Sequence, residues 1–245
     1  MNQTPASPSA SKQADLSPSI LFEDTHLLVV NKPAGLLSQG EKTGDENLVD
    51  WCRGHFGRNY VGLVHRLDRN TSGILVIGKR TKSANRLTTA LQEGKIFRSY
   101  LGLVLGDFGN RTEIRWKHFL LKDENKNQTQ VFREKKLGPP ACKEALLQAQ
   151  VLQSGSVDGN KISLLEIVLE TGRSHQIRAQ TAFEKHPILG DSKYGDSISA
   201  RLAARTLLHS HKIRFPHPMT QEVLEFEAPI PEDMNQLIRK MKPFK

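Results

Sequence analysis

Apolar residues in this chain come in short blocks broken by Pro, Gly and Asn, and the spacing within each block sets an expected element. Residues 26–31 (HLLVVN) predict a short strand, stopped by the turn-forming Lys32-Pro33-Ala34-Gly35. Leu48, Trp51, Cys52 and Phe56 share a helical face behind Asn47, whose side chain can cap a helix. A brief apolar run at 61–64 and a stronger one at 74–77 predict two strands, with a polar loop at 69–73. Asp68 therefore falls in the connection between strands, where functional side chains are often displayed. Thr81 or Ser83 can cap a following helix that carries Ala84, Leu87 and Leu91 and is closed by Gly94.

Residues 100–105 (YLGLVL) predict another strand, and weaker patterns predict strands at 113–119 and 128–132 around a charged loop at 122–126. Segments 145–153 and 161–170 predict a hairpin turned at 155–160, with Leu165, Ile167 and Leu169 on one face. Thr171-Gly172-Arg173-Ser174 ends that strand, and Ser174 can cap a helix from His175 to about Lys185. A last hairpin is expected from 213–215 and 222–227, then a helix starting near Pro231 with Met234, Leu237, Ile238 and Met241 in one stripe. Hairpin-linked strands with interspersed helices, and no regular βαβ alternation, predict an α+β fold with a mixed, mainly antiparallel sheet. Residues 1–18, rich in Ser, Pro, Ala and Gln, have almost nothing to bury and predict a disordered tail before one domain at 19–245.

Charge changes this picture. The chain of 245 residues carries a formal net charge of +9, and residues 51–92 hold eight basic residues (Arg53, Arg58, Arg66, Arg69, Lys79, Arg80, Lys82, Arg86) against the single acid Asp68. Such a balance points to a polyanion, nucleic acid before membrane, because no basic amphipathic helix stands out. Cys52 and Cys142 have no CxxC partner or zinc-type spacing, no apolar run approaches membrane-spanning length, and the N-terminus has no apolar signal core. A cytoplasmic protein without membrane contact is the expectation.

Two apparent motifs fail on chemistry. Gly73 to Lys79 has the spacing of a phosphate-binding loop, but Arg80 stands where Ser or Thr should hold magnesium, and the intervening residues are bulky and apolar. His209, His211 and His217 lack a clear carboxylate partner, so packing or RNA contact is expected in place of a metal. Asp68 is the stronger candidate. Beside Arg66 and Arg69 it can be a solvated ion-pair partner, or a carboxylate kept charged as a nucleophile or base, and residue identity alone leaves both open.

The stretch His65-Arg66-Leu67-Asp68-Arg69-Asn70-Thr71-Ser72-Gly73 resembles the catalytic motif H-R-L-D-x-x-T-S-G of the RluA-type pseudouridine synthases. Four further stretches resemble that family in order: Val30 to Gly35, Tyr100 to Val104, Thr171 to Arg178 (TGRSHQIR) and His186 to Asp191 (HPILGD). A C-terminal region from Leu208 through Pro229 is similar too, so the resemblance spans roughly residues 20 to 235.

That resemblance implies conversion of RNA uridine to pseudouridine, with uracil detached from C1′, rotated and rejoined through C5. It makes Asp68 the catalytic carboxylate, whether attack is at C1′, at C6 or by a glycal route. It makes Arg178 the ion-pair partner of Asp68, Tyr100 the aromatic that stacks on uracil and helps remove the C5 proton, and Ile177 the packing residue on the other side. Arg66 would fill the space of the flipped base, while Arg69, Lys79 and Arg80 would meet phosphate. The implied fold is a sheet bent around a basic cleft, with transfer or ribosomal RNA as partner, no cofactor, no metal and a monomeric state. Arg98 stands where many relatives have Lys, Ser174 replaces a frequent Thr, and Ala179-Gln180 replaces Val-His; none removes a catalytic group. About twenty residues precede the first expected strand, too few for an S4-type domain, so substrate choice is expected from the catalytic domain itself. The rival readings are a non-catalytic RNA-binding or RNA-folding module on the same scaffold and a glycosidic hydrolase, the latter lacking an acid/base partner for Asp68.

Overall fold

The two most apolar segments, β2 (Leu27–Lys32) and β4 (Ser72–Gly78), are almost wholly buried and pair antiparallel from Leu27↔Gly78 to Lys32↔Gly73. They lie near one end of a sheet in the computed structural model, which describes residues 16–41, 44–136, 138 and 141–243. The remaining strands are β1 (Ser19–Glu23), β3 (Gly62–Leu63), β5 (Phe97–Leu105), β6 (Glu113–Asp123), β7 (Gln128–Phe132), β8 (Lys143–Val157), β9 (Asn160–Leu169), β10 (Leu208–Pro216) and β11 (Val223–Glu227). The helices are α1 (Leu48–Phe56), α2 (Thr81–Gln92), α3 (Gln176–Phe183), α4 (Ser197–Arg201) and α5 (Glu232–Lys240).

Sheet order is β1-β2-β4-β10-β5-β9-β8-β6-β7, with β3 on β4 and β11 on β10. Every pairing is antiparallel except β4 with β10, so the expected mixed, mainly antiparallel α+β architecture is correct. The period-2 alternation sorts side chains between faces. Leu28, Val30, Leu75, Ile77, Tyr100 and Ile167 pack with Leu48 and Cys52 of α1 and Ile177 of α3. Leu27, Val29, Ile74 and Val76 pack with Leu87 and Ala90 of α2 on the other face. Leu103, Ile162 and Leu164 pack with Met234 of α5.

The parallel contact explains a glycine of the opening motif. Gly73 has φ +111°, and a Cβ there would stand 2.2 Å from the carbonyl oxygen of Ser210. Only glycine permits this approach of β4 to β10. The residues Gly73 to Lys79, whose spacing suggested a phosphate loop, form this buried strand and the turn after it.

Some local expectations need correction. Helix α2 has Arg80 at its cap position without a side-chain hydrogen bond, because Ser83 is buried against the sheet and Thr81 already lies within the helix. Helix α3 is preceded by His175 in the left-handed region (φ 52°), not capped by Ser174, whose carbonyl accepts the Thr129 hydroxyl. Strand β1 and helix α4 were not expected. The first is a half-exposed edge strand with a bulge, and the second is five residues long, so neither shows a readable period. By contrast, Asn47 caps α1 by accepting from the Asp50 amide, as its sequence position predicts. Of the expected disordered tail, residues 1–15 lie outside the described residues, and Leu16 packs against the core.

Candidate active site

The loop that carries Asp68 is laced to the Lys32–Ser38 turn. The Ser38 hydroxyl donates to the Leu67 carbonyl (2.6 Å) and accepts from the Leu67 amide (3.1 Å). The Gly35 amide donates to the Arg69 carbonyl at 2.9 Å, and Arg69 Nε returns to the Gly35 carbonyl at 3.1 Å. Lys32, fully buried, donates from Nζ to the carbonyls of Pro33, Leu36 and Arg69 at 2.9, 2.7 and 3.1 Å. These bonds hold the backbone on both sides of Asp68 and leave its side chain 28% exposed.

Burial pulls the Lys32 ammonium down to about 7, the Asp68 charge opposing and Arg205 assisting. The unfolded chain keeps this lysine near 10.5, so between these values it binds one more proton than the native state, and stability rises with pH there. The urea midpoint of the wild type is therefore expected to gain on that of Lys32→Met as pH is raised from neutrality to about 9.5, at up to ~1.4 kcal/mol per pH unit. A constant difference over that range would show that Lys32 does not titrate there in the native protein.

Arg178 reaches the site from α3, 110 residues later in sequence. Its Nη1 donates to Asp68 Oδ2 at 2.6 Å, while Nε and Nη2 donate to Asp191 Oδ2 and Oδ1 at 2.6 and 2.8 Å. A guanidinium is a planar fork, so the bidentate grip of Asp191 on one edge aims the remaining Nη1 at Asp68. Asp191 is 0% exposed and also accepts from the amides of Lys193 and Tyr194. Burial would raise its carboxyl, but the Arg178 hydrogen bonds and charge hold it below its ordinary value; burial likewise opposes the Arg178 charge, and the two carboxylates raise its affinity for protons. The preceding Gly190 (φ +72°) permits the turn, since a Cβ there would meet the Arg205 carbonyl at 1.9 Å.

The β9–α3 loop is set by Gln176. Its Oε1 accepts from the Thr171 hydroxyl and the Arg173 amide, both at 2.9 Å, and its Nε2 donates to the Leu146 carbonyl at 3.0 Å. This staple starts α3 where Ile177 faces inward and Arg178 meets the two acids.

Tyr100 lies on β5 opposite Ser210, which on its other side pairs with Gly73. The Asp68 loop and Tyr100 are thus separated by one intervening strand. Tyr100, Ile177 and Leu67 belong to one apolar cluster, so the expected trio of Asp68, Tyr100 and Arg178, with Ile177 beside them, converges. Burial pushes the Tyr100 hydroxyl above its ordinary value, the Arg98 charge opposing. Arg98 itself is buried under Gly172, where any side chain would crowd its guanidinium.

The other expected contacts are dispersed. Arg66 is exposed and has no ion pair among the described residues. Arg69 pairs with Asp45 at 2.8 Å, which directs its guanidinium to the neighbouring loop. Lys79 donates to Glu23 (2.6 Å) and the Asp24 carbonyl (2.7 Å), and with Arg80 it lies at the far end of β4, about 20 Å along the strand from the Asp68 loop. His209 bonds the Ser72 hydroxyl, His211 the Ala228 carbonyl and His217 the carboxylate of Asp24. No group of three or more His, Cys, Asp or Glu side chains that could hold a metal is found among the described residues. No helix there is long and apolar enough to cross a membrane.

Sequence reasoning assigned no role to Asp191, His175, Tyr194 or Lys32. Asp191, His175 and Lys32 lay inside stretches already singled out, but only the fold brings them beside Asp68 and Arg178. Tyr194 had no signal beyond its proximity to Asp191. The assembled site sets the Asp68 carboxylate near the neutral Tyr100 phenol and the apolar side chain of Ile177. The other acid in the cluster, Asp191, is enclosed and bound to Arg178, so the paired-carboxylate arrangement of a glycosidic hydrolase is not formed by it.

Residues 26–183 match the family model described as RNA pseudouridylate synthase. The chain is 31% identical over 250 residues to a ribosomal large subunit pseudouridine synthase C of Haemophilus influenzae, covering 100% of this chain and 75% of that protein. It is 34% identical over 226 residues to an uncharacterized RNA pseudouridine synthase of Bacillus subtilis, covering 90% and 71%. Among solved structures, human RNA pseudouridylate synthase domain containing 1 superposes with a TM-score of 0.74 at 22% identity, covering 96% of this chain and 100% of that one.

Proposed function

Because this chain belongs to the RNA pseudouridylate synthase family, in its RluA-type branch, and is an RNA pseudouridine synthase, we propose that it isomerises uridine in ribosomal RNA through the carboxylate of Asp68. The observation that carries this reading is the 2.6 Å ion pair between Arg178 Nη1 and Asp68 Oδ2, with Arg178 anchored on buried Asp191. Ribosomal RNA is favoured because the Haemophilus relative is named for the large ribosomal subunit.

Uridine and pseudouridine are isomers. The N1–C1′ bond breaks, a C5–C1′ bond forms, C5 gives up a proton and N1 takes one up, so atoms and electrons balance without a co-reactant. Attack at C1′, attack at C6 and a glycal route all use the carboxylate of Asp68, which Arg178 Nη1 holds in place from 2.6 Å. Tyr100 and Ile177 hold the flat base between them, and the neutral phenol lies beside the path of the C5 proton. Their burial keeps water from the detached base. The base must leave its stack to enter, and exposed Arg66 is the side chain that takes its place. Residues 19–245 form the catalytic domain on this reading. Arg69, Lys79 and Arg80 are assigned no contact with the reacting uridine, since their charges are held by other partners or lie at the far end of β4.

The substrate class is tested by chemical mapping of pseudouridine in cells lacking the gene. Loss of one or more sites in large-subunit ribosomal RNA, restored by the wild-type chain, is the expected outcome. Loss confined to transfer RNA would overturn the ribosomal assignment.

A further inference from the structure

Arg178 occupies only one oxygen of the Asp68 carboxylate. The other, Oδ1, faces the Nε2 of His175 at 3.8 Å, close but outside hydrogen-bond reach. The far side of the same ring is fixed: His175 Nδ1 lies 2.7 Å from the Tyr194 hydroxyl. That hydroxyl accepts from the Thr129 amide at 2.8 Å and has a single proton of its own to give. The Thr129 side chain also bears on that hydroxyl, and when Tyr194 gives its proton to His175 Nδ1 the ring proton is placed on Nε2, toward Asp68. The backbone supports the same reading. His175 holds a left-handed conformation (φ 52°), uncommon outside glycine and costing on the order of 1 kcal/mol, which is retained where surrounding contacts fix it.

We propose that His175 is a positioning residue for Asp68, its tautomer fixed by Tyr194 so that Nε2–H faces Oδ1 and closes to a hydrogen bond when RNA fills the cleft. With Arg178 on Oδ2, the carboxylate is then held by both oxygens and its plane is set relative to the bound uridine. The inference rests on Asp68 as the catalytic carboxylate. The charged neighbours of His175 are Asp68, Arg178, Lys193 and Asp191, and burial pulls its imidazole below the ordinary histidine value. The ring is accordingly neutral at pH 7, with one N–H whose location matters.

Tyr194→Phe is the informative variant, because it keeps the ring that lies 5.2 Å from the Arg178 guanidinium and removes only the hydroxyl. Nitrogen-15 NMR of histidine-labelled full-length protein is expected to give the Nε2–H tautomer for His175 in the wild type and a shift toward Nδ1–H in Tyr194→Phe. On an unmodified ribosomal RNA transcript, Tyr194→Phe and His175→Leu should each lower kcat about tenfold at unchanged KM, the worth of one ordinary hydrogen bond. His175→Gln retains a donor and has no tautomers, so it should keep most of the activity and make the rate insensitive to Tyr194→Phe. An Nδ1–H tautomer in the wild type would overturn the proposal, as would an equal loss from Tyr194→Phe in both backgrounds. The tautomer is read without turnover, so a wrong tautomer is distinguishable from failure of the Asp68 assignment, which appears as retained activity in Asp68→Asn.

Discussion

Asp68→Asn is expected to abolish pseudouridine formation while leaving RNA binding close to that of the wild type. The substitution preserves shape and a hydrogen-bond acceptor for Arg178 Nη1, and it removes only the negative charge. A loss of a group that bonds or stabilises the reacting carbon falls in the range of about 10⁴-fold or more in single-turnover rate. Asp68 is partly exposed and its loop is held by Ser38, Lys32 and Gly35 through backbone atoms, so the fold should survive the change. Filter retention of labelled RNA, run beside the turnover assay, separates lost chemistry from lost binding. A variant that reacts at the wild-type rate would remove Asp68 from the mechanism.

Arg178→Met is expected to carry the largest cost to stability. It leaves Asp191, which has no exposed surface, without its bidentate partner, and stranding a buried charge costs roughly 3–5 kcal/mol. The pH dependence follows from the sign of the Asp191 shift. In the wild type the carboxyl is held below its unfolded value, so the pair contributes stability above the ordinary carboxylate range and loses it as pH falls through the native value. In Arg178→Met, burial without a partner raises the Asp191 carboxyl, and protonation relieves the strandedness. Urea denaturation should therefore show the deficit at neutral pH and its narrowing toward about pH 4. Arg178→Lys keeps a charge but cannot span two carboxylates, so it should fold better than Arg178→Met and still lose about a hundredfold in rate through misplacement of Asp68. Near-normal turnover in Arg178→Lys would show that a point charge suffices and that the fork geometry is unimportant.

Much of this molecule was legible before its fold was known, and the reasons are local. The buried strands β2 and β4 announce themselves as apolar runs between turn residues, and Asn47 caps α1 through a bond that reaches only three residues. Asp68, Tyr100, Ile177 and Arg178 are singled out by motif stretches, and the sheet order brings these stretches together by setting Gly73 and Tyr100 on either side of Ser210. What sequence could not supply was the partner of each charge. Arg69 and Lys79 are expected at RNA phosphate from the resemblance, and the fold pairs them with Asp45 and Glu23. Asp191 stood in a recognised stretch without a role, because its meaning depends on which arginine lies against it. The left-handed His175 was read as the first residue of a helix, since a single strained φ leaves no periodic trace.

One chemical event defines the proposed reaction: the carbon C5 of uridine must exchange its hydrogen for the bond to C1′. Ribosomal RNA transcribed with uridine tritiated at C5 measures that event directly, as tritium released to water. The wild-type chain should release label in proportion to the pseudouridine mapped on the same RNA, and Asp68→Asn should release none above background. Release undiminished in Asp68→Asn would contradict the account, as would RNA that binds the wild type and never loses its label.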